Sequence, residues 1–245
     1  MHEHDGVRAV TAIAAIADKV RRDLFHYVRR QQRPTTRDEA AEATGISRKL
    51  AAYHLDELVD VGLLRAGYQP SDRRRGRPPK VYQAANTAFA VTIPARRYDL
   101  LGEILLDALA AATRAPGTAD EDDGPRAHAL RAARRRGREV AAQLAAETTG
   151  TVGERRNPLN SAYRALERLG FEPRQPAPDV VEPTNCPFHR LAQREPELVC
   201  AINREFCAGL FDAVGPAATG DSGVVVETPS HPGGCCVRVR HHPPS

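Results

Sequence analysis

The sequence predicts an α+β protein, mainly α, and three observations carry that expectation. Apolar residues recur every three or four positions over most of the chain, short β-rich runs flank glycine and proline turns, and four of the five cysteines fall between Cys200 and Cys236. Composition shifts divide the chain into residues 1–93, which are basic, a helical stretch at 94–149, and a cysteine-containing α+β part at 150–245. With 245 residues, 41% hydrophobic and 27% charged, there is enough chain for more than one core. No apolar run approaches the ~20 residues that cross a bilayer, and no basic leader precedes the first one. A soluble, cytoplasmic protein without a membrane partner is expected. Five cysteines are also too few for a secreted disulfide framework.

The formal charge of +4 conceals an uneven distribution. Residues 1–98 hold 18 basic and 11 acidic side chains, and the remainder 17 and 20. The positive field therefore belongs to the N-terminal part, which points to a polyanionic partner.

Val10, Ile13, Ala17, Val20, Leu24 and Val28 predict one helix that stops at Pro34. Thr36-Arg-Asp-Glu39 reads as a capping box opening a second helix to Thr44, and Gly45 supplies a turn. Ser47 caps a third helix whose Ala51, Leu55, Leu58 and His54 are expected to face inward, and Gly62 ends it in the left-handed conformation. Its other face presents Arg48, Lys49, Ala52, Tyr53 and Asp56. Two short helices around a glycine turn, the second displaying cationic and hydrogen-bonding groups near its start, have the geometry of a helix-turn-helix with a major-groove reader.

Leu63–Arg65 and Val81–Gln83 then predict two strands around the loop Asp72–Lys80, a wing. Arg73, Arg74, Arg75, Arg77 and Lys80 cannot form a packed element, and the prolines at 78 and 79 hold the backbone extended so that the cations project. Such arginines suit a narrow minor groove. A charge run alone is ordinarily a solvated face, but here it adjoins a reader helix. Ser47, Arg48, Lys49, Tyr53, Arg73, Arg74, Arg75, Arg77 and Lys80 are the expected contacts to double-stranded DNA. At Ser47-Arg-Lys-Leu-Ala-Ala-Tyr-His-Leu-Asp-Glu-Leu58 followed by Gly62-Leu-Leu64, the segment resembles winged helix-turn-helix transcription regulators of the broad arsenic-repressor type. Arg75-Gly-Arg-Pro78 also resembles an AT-hook, which would make the same minor-groove contact.

Tyr98, Leu101, Ile104, Leu105, Leu109 and Ala112 trace an apolar stripe on a helix from about Ala95 to Arg114. The stripe fits a homodimer seam and an intrachain core equally well. Ala115–Pro125, Gly150–Pro158 and Glu172–Pro178 have loop composition. Between the first two, Arg126–Ala146 is expected to be a helix with Leu130, Ala133, Val140 and Leu144 on one side and an arginine ridge, Arg131, Arg134, Arg135 and Arg138, facing solvent.

Pro196 is placed to open a helix reaching about Val214, and Val224–Val226 and Cys236–Val239 read as paired strands. Cys200 and Cys207 stand about 10.5 Å apart along one helix axis, too far for two sulfurs about 2.3 Å from one zinc ion. Cys207 is therefore expected to be a buried small hydrophobe. Adjacent residues of a strand point to opposite faces, so one of Cys235 and Cys236 is expected to join a site with Cys186 and Cys200, with His189 as a possible fourth ligand.

At Asn185-Cys-Pro-Phe-His, Cys200 and the terminal cysteine pair, the C-terminal half resembles the sensor of SufR-type iron-sulfur repressors. That resemblance implies Cys186, Cys200 and Cys235 as ligands of an iron-sulfur cluster, of the 4Fe–4S kind, with zinc as the alternative. It also implies a dimeric repressor whose operator affinity responds to the bound group. A different class would be an enzyme-like domain with Cys186 as nucleophile and His189 as its activator, but no orienting acid or oxyanion signature accompanies that pair, and no enzyme is expected.

Overall fold

The computed structural model describes residues 2–69, 78–114, 124–147, 158–212, 224–229 and 235–241. They fall into two units, Met1–Val91 and Thr92–Ser245.

The first unit opens with α1 (His2–Ala15) and α2 (Lys19–Gln31), two helices where the periodicity suggested one. Asp18 makes the break. Its backbone is extended and its carboxylate accepts the amide of Arg21 at 2.9 Å, which offers the chain a cap where a helix would give aspartate nothing. Arg21 and Arg22 then donate to the freed carbonyls of Ala15, Ile16 and Ala17. The break also turns α1. Ala9 and Ala12 are its buried residues, while Val7, Val10 and Ile13 are exposed.

After β1 (Thr35–Thr36), α3 (Arg37–Thr44) begins with the expected capping box: Glu39 N–H donates to Thr36 Oγ1, and Thr36 N–H donates to the Glu39 carboxylate at 2.7 Å. Gly45 (φ 69°) turns the chain into α4 (Arg48–Asp60), capped by Ser47, and Gly62 (φ 77°) follows it. Strands β2 (Leu64–Tyr68) and β3 (Lys80–Ala84) pair antiparallel in the register Leu64↔Ala84 to Tyr68↔Lys80. β1 adds to the far side of β3, giving the order β1-β3-β2. Leu24, Val28, Leu55, Leu58 and Tyr82 form the centre of this unit's core. His54 is only half-buried, stands edge-on to Tyr53, and keeps a buried Nδ1 without a partner, so it is not the core residue its position suggested.

The second unit contains α5 (Tyr98–Arg114), α6 (Pro125–Glu147), α7 (Pro158–Arg168), β4 (Pro173–Ala177), β5 (Val180–Pro183), α8 (His189–Arg194), α9 (Pro196–Phe211), β6 (Val224–Glu227) and β7 (Arg238–His241). Residues of 94–149 and of 150–245 share its one core, with Leu101, Ile104, Ala133, Leu166, Phe206 and Val239 among the contributors. The sheet order is β4-β5-β7-β6, antiparallel throughout. Within Glu172–Pro178, which has the composition of a loop, Pro173–Ala177 is instead the edge strand β4. Its prolines at 173 and 176 are tolerated there because an edge leaves some ladder amides unused. Glu182 on β5 is buried and held between Arg174 at 2.9 Å and Arg238 at 2.6 Å.

α6 and α9 cross at two glycines. A Cβ on Gly137 would meet the Phe206 carbonyl oxygen at 2.1 Å, and one on Gly209 the Arg134 carbonyl oxygen at 2.0 Å. The backbones therefore touch. The arginine ridge faces solvent as expected, with Arg131, Arg135 and Arg138 exposed, and from there its members also reach acidic partners on neighbouring elements. Arg134 pairs with Glu205 and Asp212, Arg138 with Asp212, Arg135 with Asp107, and Arg136 with Glu103. The apolar stripe on α5 divides. Leu101 and Ile104 are buried, whereas Leu105, Leu106 and Leu109 are exposed.

Candidate functional site

Two constellations stand out, one in each unit. In the first, Ser47 Oγ accepts the Leu50 amide at 3.2 Å, which fixes where α4 starts. Arg48, Lys49, Leu50 and Tyr53 emerge exposed over its first two turns. Arg48 Nε lies 3.4 Å from Asp38 on α3, a tie between two exposed groups that orients the side chain more than it stabilises the fold. The face carries cations, a phenol and an apolar side chain, the types that read base edges and grip phosphate.

Asp56, expected on this open face, is engaged. It accepts Lys80 Nζ at 2.6 Å and the Tyr82 hydroxyl at 2.8 Å, and so ties the reader helix to β3. Lys80 therefore serves the base of the wing. Burial and the neighbouring Asp56 carboxylate both push the Tyr82 phenol up, so it stays protonated and donates. The hairpin continues past its strands, with Gln69 N–H donating to the Pro79 carbonyl at 3.1 Å. Arg73, Arg74, Arg75 and Arg77 lie outside the described residues.

In the second unit, thiols from two separated segments meet one amide, and the thiol of a third lies beside them. Asn203, fully buried on α9, donates from Nδ2 to Cys236 Sγ at 3.4 Å and, at a longer 3.9 Å, to Cys235 Sγ. The Cys207 thiol donates to Asn203 Oδ1 at 3.9 Å. Cys236 Sγ also lies 3.7 Å from the Cys200 carbonyl oxygen. The thiols form a chain of contacts: Cys186 against Cys235, Cys235 against Cys236, and Cys236 against Cys200. Cys207 is completely buried, as its place on α9 required.

The electrostatics differ along this chain. The hydrogen bond from Cys235 lowers Cys236 to about 6, aided by Asn203 and Cys200, and the Cys235 contact also lowers Cys186. Burial raises Cys200 to about 12 and raises Cys207 as well. Cys235 is raised because its proton is shared with Cys186 and Cys236. Cys235 and Cys236 precede β7 instead of lying in it, so strand alternation does not separate them and both thiols join the cluster. His189 is exposed on the first turn of α8. Among the described residues, no three His, Cys, Asp or Glu side chains surround a common point. A set of sulfur donors nevertheless has the chemistry of an iron-sulfur or zinc site.

A hollow of about 440 Å³ opens onto Cys200 and Cys236, lined also by Arg126, Pro196, Glu197 and Arg204. The sequence reading missed Asn203, although a signal was present. Cys200, Asn203 and Cys207 fall at i, i+3 and i+7, one polar side chain on an otherwise apolar and thiol face.

The helix-turn-helix domain family matches residues 16–65, from the end of α1 to the start of β2. The N-terminal unit thus carries a helix-turn-helix DNA-binding domain of the kind found in transcription regulators. No curated protein matches the chain. Among the described residues no helix is long and apolar enough to cross a membrane.

Proposed function

We propose that the protein is a dimeric transcription repressor whose affinity for its operator depends on a group held by the C-terminal thiols. The observation that carries this reading is the run of neighbouring thiols Cys186, Cys235, Cys236 and Cys200, drawn from a loop, a pre-strand segment and a helix, with Cys235 and Cys236 resting on the buried Asn203. A staple for a fold that already has a continuous apolar core would not need so many soft donors beside a hollow that opens to solvent.

Cys186, Cys200 and Cys235 hold an iron-sulfur cluster, with Cys236 near enough to join them. Such a group, when bound, supplies redox and oxygen-sensitive chemistry that protein side chains lack. The protein's own part is to deliver the thiolates and to hold Cys235 and Cys236 against the buried Asn203. The DNA-binding half uses Arg48, Lys49 and Tyr53 to read the major groove, while Arg73, Arg74, Arg75 and Arg77 grip the flanking minor groove and phosphates. A second copy of the chain covers Leu105, Leu106 and Leu109, which would place two readers on half-sites about one helical turn apart.

The pairwise contact of the thiols favours a second reading, a single zinc ion on four sulfurs in a regulator that senses a small molecule elsewhere. An absorbance spectrum with iron, sulfide and zinc analysis of the full chain, purified without oxygen, separates the two. Brown protein with iron and acid-labile sulfide is expected. Colourless protein with stoichiometric zinc establishes the second reading, and protein without metal removes both.

A further inference from the structure

We infer that Arg96 and Asn185 form the joint through which the state of the thiol cluster reaches the DNA-binding unit. This inference rests on the regulatory reading above and adds to it the residues that transmit the signal. The first unit ends at Val91, so residues 92–97 are its covalent exit into the second. That exit is fastened to the loop that carries Cys186. Arg96 Nη1 donates to Asn185 Oδ1 at 2.5 Å and to the Cys186 carbonyl at 3.4 Å, and Arg97 N–H donates to the Pro187 carbonyl at 3.1 Å.

Asn185 completes the fastening from its own side. It is buried, and its Nδ2 donates to the Ala95 carbonyl at 3.0 Å and to the Gly170 carbonyl at 2.6 Å. All three of its side-chain bonds are therefore made within one arrangement of the exit segment and the loop. Gly170 allows that arrangement, because a Cβ there would stand 2.6 Å from the Ala95 methyl.

The adjacency gives the joint a direction. Asn185 precedes a cysteine whose thiol contacts Cys235, and the carbonyls of residues 186 and 187 are the ones that Arg96 and Arg97 hold. A shift of Cys186, when the cluster gains or loses its group, displaces acceptors that position the exit segment. On its other side the segment runs straight into α5, where Leu101 N–H donates to the Arg97 carbonyl, so residues 95–97 are held to the second unit from both sides. Arg96 and Asn185 are positioning residues. Their side-chain hydrogen bonds go to each other and to backbone carbonyls, and their contribution is the coupling between two binding events.

The test uses the full chain and a duplex that the protein selects from a random pool. DNA affinity is measured for the wild type and for Arg96→Met, each as purified without oxygen and after treatment with EDTA and iodoacetamide. For the wild type, treatment is expected to change affinity at least about tenfold, within the usual range of allosteric coupling. For Arg96→Met the same treatment should change it less than about twofold, the treated forms binding alike, and Arg96→Lys should recover part of the response. An equal response in wild type and Arg96→Met overturns the inference and leaves the regulatory reading intact. No response in either overturns both. If Arg96→Met does not fold, hydrogen exchange of the Arg97 amide in the wild type decides: faster exchange after treatment supports the joint, and an unchanged rate overturns it.

Discussion

Lys80 Nζ sits 2.6 Å from Asp56 Oδ1, which fastens the reader helix α4 to the second strand of the wing. The Tyr82 hydroxyl, from a side chain only 1% exposed, donates to the same oxygen. The ion pair itself is half-exposed and worth less than about 1 kcal/mol. The buried phenol is the larger matter. Asp56→Ala leaves it without its acceptor and should destabilise the N-terminal unit by about 1–3 kcal/mol in urea denaturation followed by circular dichroism. Asp56→Asn keeps an acceptor and should lose less than half as much. Equal losses for the two variants would assign the effect to charge.

Arg77 should supply affinity with little sequence preference. Arg77→Ala is expected to weaken binding to all duplexes alike and to reduce the slope of log K against log salt by about 1. Lys49→Ala should instead flatten discrimination among base pairs. A full salt slope in the Arg77 variant would remove that residue from the DNA contact.

The crossing of α6 and α9 allows no side chain at Gly137, where a Cβ would overlap the backbone of Phe206. Gly137→Ala should cost about 3 kcal/mol or more, since backbone on both sides must move. A thermal melt of the full chain within a degree of wild type would contradict contact at this crossing.

What could be read from the sequence was what its neighbours in sequence decide. The Thr36–Glu39 capping box, the Ser47 cap, and Gly45 and Gly62 involve partners within a few residues, and each was legible. Asp18 was missed because the apolar period runs on through it, and a cap competes with a period without interrupting it. β4 was hidden by Pro173 and Pro176, which mean a strand only once an edge position is known. The glycine crossing and the Arg96–Asn185 joint depend on partners 72 and 89 positions away, which no local pattern announces. The cysteines could be picked out singly. The meeting of Cys207, Cys235 and Cys236 on Asn203 required the path of the chain.

Glu39 predicts one feature of the acid response. The Arg33 guanidinium and the Thr36 amide lower its carboxyl from the ordinary 4.5 to about 2. A carboxyl lowered on folding stabilises the native state above its unfolded value and loses that contribution as pH falls through the folded one. The contribution is therefore present above about pH 4.5 and fades toward pH 2, reduced by the exposure of this surface pair. Glu39→Gln keeps an acceptor for the cap but cannot titrate, so its stability should fall less steeply than wild type across that interval. Parallel urea midpoints from pH 5 to 2.5 would refute the assignment.

The central claim is that the thiol cluster governs DNA binding, and one titration tests it most directly. Wild-type full chain, purified without oxygen and analysed for iron, sulfide and zinc, is titrated against its selected duplex before and after removal of the bound group. The account predicts stoichiometric iron and sulfide and an affinity that changes at least about tenfold on removal. The same affinity before and after, in protein shown to have lost its metal, would contradict it.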